Sequence, residues 1–128
     1  MAQEMRSPIE SGCPDAFQYM HPVMRKNYGQ WAYHEDPQPG VLLHVSNNGD
    51  KIWTVRAGTQ RILDVFTLRK LCDIGDEYGE GYIHFTIRSN IEYQVADEAK
   101  VQPLIKAIED AGFIVGGTRN SVAMLSHT

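Results

Sequence analysis

The stretch from Val41 to Arg56 constrains this chain more than any other. Val41-Leu42-Leu43-His44-Val45 is a short apolar run that ends in Ser46-Asn47-Asn48-Gly49-Asp50, and Lys51-Ile52-Trp53-Thr54-Val55-Arg56 then alternates with period two. Two β-rich runs joined through Asn-Gly predict a hairpin, because Asn and Gly accept the positive φ that a tight turn demands. The alternation puts Ile52, Thr54 and Arg56 on one face and Lys51, Trp53 and Val55 on the other. It leaves open which of the two faces the core.

The rest of the chain has to cover one face of that hairpin. Asp64 is a fitting N-cap, and Leu68, Leu71, Cys72 and Gly75 recur at i, i+3, i+4, i+7, the spacing of one buried helical face, with Ile74 and Tyr78 widening the stripe and Gly79 and Gly81 ending it. Cys72 on that face reads as a small buried hydrophobe. Strands are expected at Tyr82–Ile87 and Ile91–Val95, joined by a tight turn at Arg88-Ser89-Asn90. A second helix is expected from about Ala99 to Ala111, with Val101, Leu104, Ile105 and Ile108 on its apolar face. Pro103 limits where it can begin and Gly112 caps it. Phe113-Ile114-Val115 is the last strand. The order β-β-α-β-β-α-β is an α+β class, (β)βαββαβ: a ferredoxin-like antiparallel sheet with two helices on one face.

Ahead of the hairpin the texture differs. Met1 to Pro39 holds five of the six prolines, three tyrosines and Trp31 without sustained periodicity, and Pro37, Pro39 and Gly40 mark a boundary. Residues 1–39 are therefore expected to be an irregular arm that contacts another subunit, with one or two helical turns between Pro22 and Trp31. Residues 40–115 form the ferredoxin-like unit, and 116–128 begin a further segment.

Composition narrows the function. The 42% hydrophobic and 22% charged residues suit a globular chain. Twelve Lys and Arg against sixteen Asp and Glu, net −4, argue against a nucleic-acid-binding surface. No apolar run reaches the roughly 18–20 residues that span a bilayer, and Met1 to Ser11 has no apolar signal core, so a cytoplasmic protein is expected. Cys13 and Cys72 are too few for a disulfide scaffold or for an iron–sulfur cluster, which takes about four thiolates.

Three arginines stand out by location: Arg56 in the second strand, Arg88 at the turn that joins two later strands, and Arg119 directly after the final strand, in Gly116-Gly117-Thr118-Arg119-Asn120-Ser121. A guanidinium is a permanently charged planar donor suited to carboxylates and small oxyanions, and the glycines let backbone N–H groups approach such a ligand. The five histidines lack metal-site spacing, and His44 and His84 read as hydrogen-bonded sheet residues. Glu77, Glu80, Glu92 and Glu98 show no acid/base pairing and read as a solvated face. Up to this point the residues describe a ferredoxin-like domain able to bind an anion.

The blocks ESGCPDAFQYMHPVMRKNYGQW, YHEDPQPGVLLHV, GDKIWTVRAG, LRKLCDIGDEYGEGYIHFTIRSNIEYQV and VGGTRNSVAMLSHT, in that order from Glu10 to Thr128, closely resemble the beta subunits of dissimilatory sulfite reductases, members of the nitrite/sulfite reductase superfamily. The N-terminal block is closer to the reverse-acting, sulfur-oxidising branch. The resemblance implies a siroheme and 4Fe-4S enzyme that interconverts sulfite and sulfide by six-electron transfer, built as an alpha2beta2 assembly with an alpha subunit. It further implies that Thr54, Arg56, Arg88, Arg119 and Asn120 border a siroheme pocket, since a polycarboxylate macrocycle calls for cationic and polar walls. One departure stands out. The cysteines that ligate the cluster in this family lie beyond His127-Thr128, and neither Cys13 nor Cys72 matches them. The expectation is therefore an N-terminal piece of a longer beta subunit, inactive alone and with no metal ligands of its own. The alternative is a stand-alone ferredoxin-like module that binds a small anion or a protein partner.

Overall fold

A computed structural model describes residues 9, 12, 15–59, 63–86 and 90–116. Six strands form one antiparallel sheet: β1 (Trp31–Gln38), β2 (Val41–Ser46), β3 (Lys51–Gly58), β4 (Ile83–Phe85), β5 (Asn90–Val95) and β6 (Ile114–Val115). Three helices accompany it, α1 (Pro22–Lys26), α2 (Val65–Tyr78) and α3 (Val101–Asp110), with 3-10 turns at Ala16–Tyr19 and Glu98–Lys100. The strands run β1-β2-β3-β5-β4, and β6 also pairs with β3. From β3 onward the spatial order β6-β3-β5-β4 is the split unit that the element order predicts.

The hairpin forms as expected, with Gly49 at φ 90° in its turn. Its core face is the one carrying Trp53, Val55 and Ala57. These pack with Val41, Leu43 and Val45 of β2, with Ile91, Tyr93 and Val95 of β5, and with the apolar sides of α2 and α3. Asp64 caps α2, its carboxylate accepting from Thr67 N–H at 2.6 Å. Leu71, Ile74 and Gly75 are the buried positions of α2, while Cys72 is half-buried and not sealed in the core. A Cβ on Gly75 would lie 3.1 Å from the Tyr93 ring, so the glycine lets helix and sheet approach. The Tyr93 hydroxyl crosses that interface to donate to the Leu71 carbonyl at 2.7 Å. Burial pushes its pKa well above the usual phenol value.

Helix α3 buries Val101, Leu104, Ile105 and Ile108, the four residues its periodicity singles out. It starts at Val101 rather than near Ala99, because Asp97 accepts from Ala99 N–H and holds Glu98–Lys100 in a 3-10 turn. Pro103 therefore sits in the first turn, where its missing N–H costs no helical bond. Gly112 follows the helix at φ 93°.

The stretch expected to be an irregular arm is not irregular throughout. Trp31–Gln38 is a full strand, antiparallel to β2, with Glu35 opposite Leu43 and His34 opposite His44. Six of its eight residues are exposed, so neither face imposes a period-two pattern. Pro37 is compatible with a strand only because β1 lies at the sheet edge. Before it, α1 begins at Pro22 and is capped by His21, whose Nδ1 accepts from Val23 N–H at 3.1 Å. His21 Nε2 contacts Glu80 at 3.0 Å, and Glu80 also accepts from Ala96 N–H at 2.8 Å, so one carboxylate ties the arm to the sheet. No helix among the described residues is long and apolar enough to cross a membrane.

Candidate functional site

Strand β3 is central, and its outer edge is shared. Lys51 to Val55 pair with β2, whereas Ala57 and Gly58 pair with β6. Arg56 occupies the seam: its N–H donates to the Gly40 carbonyl at 2.8 Å and its own carbonyl accepts from Gly116 N–H at 3.1 Å. Gly40 has φ +83°, and a Cβ there would lie 2.5 Å from both Gly116 N and Val115 Cγ1. Two glycines thus bring two chain segments together against one arginine.

Directly opposed residues of antiparallel strands share a face. On the face away from the helices Thr54 lies opposite Gln94, Arg56 opposite Glu92 and Gly58 opposite Asn90. His84 lies opposite Glu92 from the other side. Glu92 Oε1 accepts from Arg56 Nε at 2.9 Å and from its terminal nitrogen, holding the guanidinium plane against the sheet. Only 13% of the Arg56 side chain and 16% of that of Glu92 are exposed. Such a pair resists screening, and removing one partner is costly.

The neighbours of this pair are one buried hydroxyl and two buried amides. Thr54, Asn90 and Gln94 are buried, yet Asn90 Nδ2 and Oδ1 and Gln94 Oε1 have no hydrogen-bond partner among the described residues. Each unmatched buried polar group costs about 1–3 kcal/mol, so three on one face is a costly concentration. They supply one unmatched donor group and two acceptors beside the guanidinium.

Thr54 and Arg56, expected as site residues, thus lie on one sheet face, and Gly116, the first residue of the Gly-rich loop, is bonded to the Arg56 carbonyl. Arg88, Arg119 and Asn120 lie outside the described residues. The expectation of a solvated glutamate face holds for Glu77 and Glu98, which are exposed, and fails for Glu80 and Glu92. Both sit within paired networks. Burial works to raise the Glu80 pKa, but the hydrogen bonds from His21 and Ala96 outweigh it and hold the carboxyl below its ordinary range. Asn90, Glu92 and Gln94 escape sequence reasoning because their alternation with Ile91, Tyr93 and Val95 looks like an ordinary half-exposed strand.

His44 and His84 are sheet residues, as expected. Burial, followed by the neighbouring His34, lowers the His44 pKa, with Glu92 opposing weakly. Among the described residues no three His, Cys, Asp or Glu side chains converge as metal ligands. The polar face around Arg56 offers one unmatched amide donor group and two unmatched acceptors beside a guanidinium paired with Glu92.

Residues 44–111, more than half of the chain, match the nitrite/sulfite reductase ferredoxin-like half domain. The chain is 48% identical over 104 residues to the "Sulfite reductase, dissimilatory-type subunit beta" of Archaeoglobus fulgidus, covering 80% of this chain and 28% of that protein. It is 42% identical over 118 residues to the subunit of that name from Nitratidesulfovibrio vulgaris, covering 87% of this chain and 31% of the relative. The subunit from Megalodesulfovibrio gigas is 36% identical over 135 residues, covering 99% and 52% respectively. The chain thus spans between about a quarter and a half of the length of these relatives. With its βαββαβ sheet, its helices on one face and these matches, the chain belongs to the nitrite/sulfite reductase ferredoxin-like half-domain family.

Proposed function

We propose that this chain provides the ferredoxin-like half domain of a dissimilatory-type sulfite reductase beta subunit, and that its polar sheet face walls a siroheme pocket. The observation that carries this is the 48% identity over 80% of the chain to a subunit of that name. The unmatched amides of Asn90 and Gln94 beside Arg56 support the location. Siroheme, when bound, supplies the six-electron chemistry between sulfite and sulfide, with a 4Fe-4S cluster whose ligands come from outside the described residues. Arg56, fixed in plane by Glu92, orients a carboxylate or oxyanion at the seam. Thr54 contributes a hydroxyl on the same face. Asn90 offers an amide donor and an acceptor, and Gln94 an acceptor. Arg88, Arg119 and Asn120 complete the binding set in this proposal. Because Glu92 offsets the charge of Arg56, these further cationic residues are needed to neutralise a polycarboxylate.

The working protein in this reading is a cytoplasmic alpha2beta2 assembly, with residues 1–39 contacting a neighbouring subunit. The complete reading frame containing this chain, co-expressed with its alpha partner, should yield a visible siroheme spectrum. Arg56→Ala and Arg88→Ala should each lower siroheme occupancy or sulfite turnover. An assembled complex without siroheme absorbance would overturn the proposal, and wild-type occupancy and rate in both variants would overturn the residue roles. A siroheme-free, monodisperse domain that binds a small anion would point instead to a stand-alone module.

A further inference from the structure

The edge strand β1 brings two histidines together. His34 and His44 are cross-strand partners, and their rings meet at 80° with centroids 4.6 Å apart. Their Nδ1 atoms face each other in direct contact. The Trp31 ring stands 6.1 Å from His44, edge-on. His34 is exposed and His44 half-buried, so one ring is anchored and the other can adjust. Neutral imidazole nitrogens are good ligands for late first-row divalent ions, at roughly 2.0–2.1 Å for zinc, which sets two such nitrogens roughly 3 Å apart on one ion. A small swing of the His34 ring opens the pair to that spacing.

We propose that His34 and His44 form a two-histidine chelating site for a late divalent transition ion, copper(II) binding more tightly than zinc(II), which staples β1 to β2. Both Nδ1 atoms ligate, so each ring carries its proton on Nε2. One ring of the neutral pair therefore shifts its proton from Nδ1 to Nε2 when the ion enters. A pair holding one extra proton releases it. Water fills the remaining coordination positions, since no third side-chain ligand converges among the described residues. The site is thus open and exchangeable. Protons compete with the ion for it, and Glu92 is the nearby charge that favours protonated His44.

Copper(II) added to the full chain at pH 7.5 should bind with one-to-one stoichiometry and an electron paramagnetic resonance signature of two nitrogen ligands. His34→Gln should lower affinity about tenfold or more and leave a one-nitrogen signature. His44→Gln should do the same. Zinc(II) should slow amide hydrogen exchange across Trp31–Gln38 in the wild type and leave it unchanged in His34→Gln. Exposed His34 can be replaced without disturbing the core, so that variant remains a fair test even if His44→Gln destabilises the fold. Unaltered copper affinity and unchanged nitrogen count in His34→Gln would overturn the site, as would the absence of any one-to-one binding.

Discussion

The two faces of the same sheet are both largely buried, and they are buried on different terms. Along β3, Trp53, Val55 and Ala57 enter a core shared with Leu71, Leu104 and Ile108, in which apolar surface leaves water and no buried side-chain atom of the described residues is unmatched. One residue over, Ile52 and Thr54 are equally buried, but their face continues into Arg56, Glu92, Gln94 and Asn90. There an ion pair is held out of water and three amide atoms lack partners. The apolar face is arranged for stability, at about 25 cal/mol per Å² removed from water. The polar face carries a standing cost, which a ligand bound there as proposed would offset.

The sharpest way to break that contrast is to damage each face and compare. Leu104 is fully buried between α3 and the sheet, and Leu104→Ala should cost about 3–4 kcal/mol in urea unfolding. A loss under about 1 kcal/mol would mean that the helices do not seal that face. At the seam, Gly40→Ala should cost about 2–3 kcal/mol, because the position needs positive φ and the added carbon meets the Gly116 backbone. Full stability in that variant would show that β2 and β6 do not converge on Arg56. Glu92→Ala should cost about 2 kcal/mol by removing the carboxylate that holds the largely buried guanidinium. Combining it with Arg56→Met should recover much of the loss, and simple addition of the two effects would deny the pairing.

What was legible in the sequence follows the same divide. The hairpin, both long helices and the split topology could be read because each buries one apolar side, and a single buried side stamps a period of 2 or 3.6 on the residues. Strand β1 was not legible, since both its sides face solvent and no period is imposed. The start of α3 lies two residues beyond the position expected from the sequence because Asp97 caps a 3-10 turn first. Thr54 and Arg56 could be named from a resemblance, but the pairing of Arg56 with Glu92 depends on register across thirty-six residues, which local spacing cannot contain. The unmatched amides were invisible for a related reason. Satisfaction of a buried group is a property of its three-dimensional neighbours.

Acidification separates the faces more gently. His44 has a folded-state pKa below the ordinary value of about 6.5, so the unfolded chain takes up its proton first. Stability is therefore full above about pH 6.5 and falls as pH drops from there through the folded pKa. Glu80 is also depressed, so its contribution is present above the ordinary carboxylate value and is lost at more acid pH, as pH falls through its folded pKa. Urea midpoints measured against pH should show two successive declines. His44→Gln should flatten the upper one alone, and an unchanged profile would remove the imidazole from the account.

The smallest expected change in stability is the most informative about purpose. Replacing a buried amide that has no partner with an apolar side chain of similar size removes a desolvation cost and breaks no bond. Asn90→Leu and Gln94→Met should therefore leave the unfolding free energy of the chain unchanged or raise it by up to about 1 kcal/mol. The backbone of Asn90 keeps its own bonds with Thr86, so the strand pairing survives the substitution. In the proposed reductase assembly the same variants should lower siroheme retention, because the ligand would then meet methyl groups in place of an amide. Stability that rises while retention falls would mean that this face is held unsatisfied for the cofactor. Stability that falls would mean that the amides already have partners within the fold, and the contrast between the two faces would collapse to a difference in polarity alone.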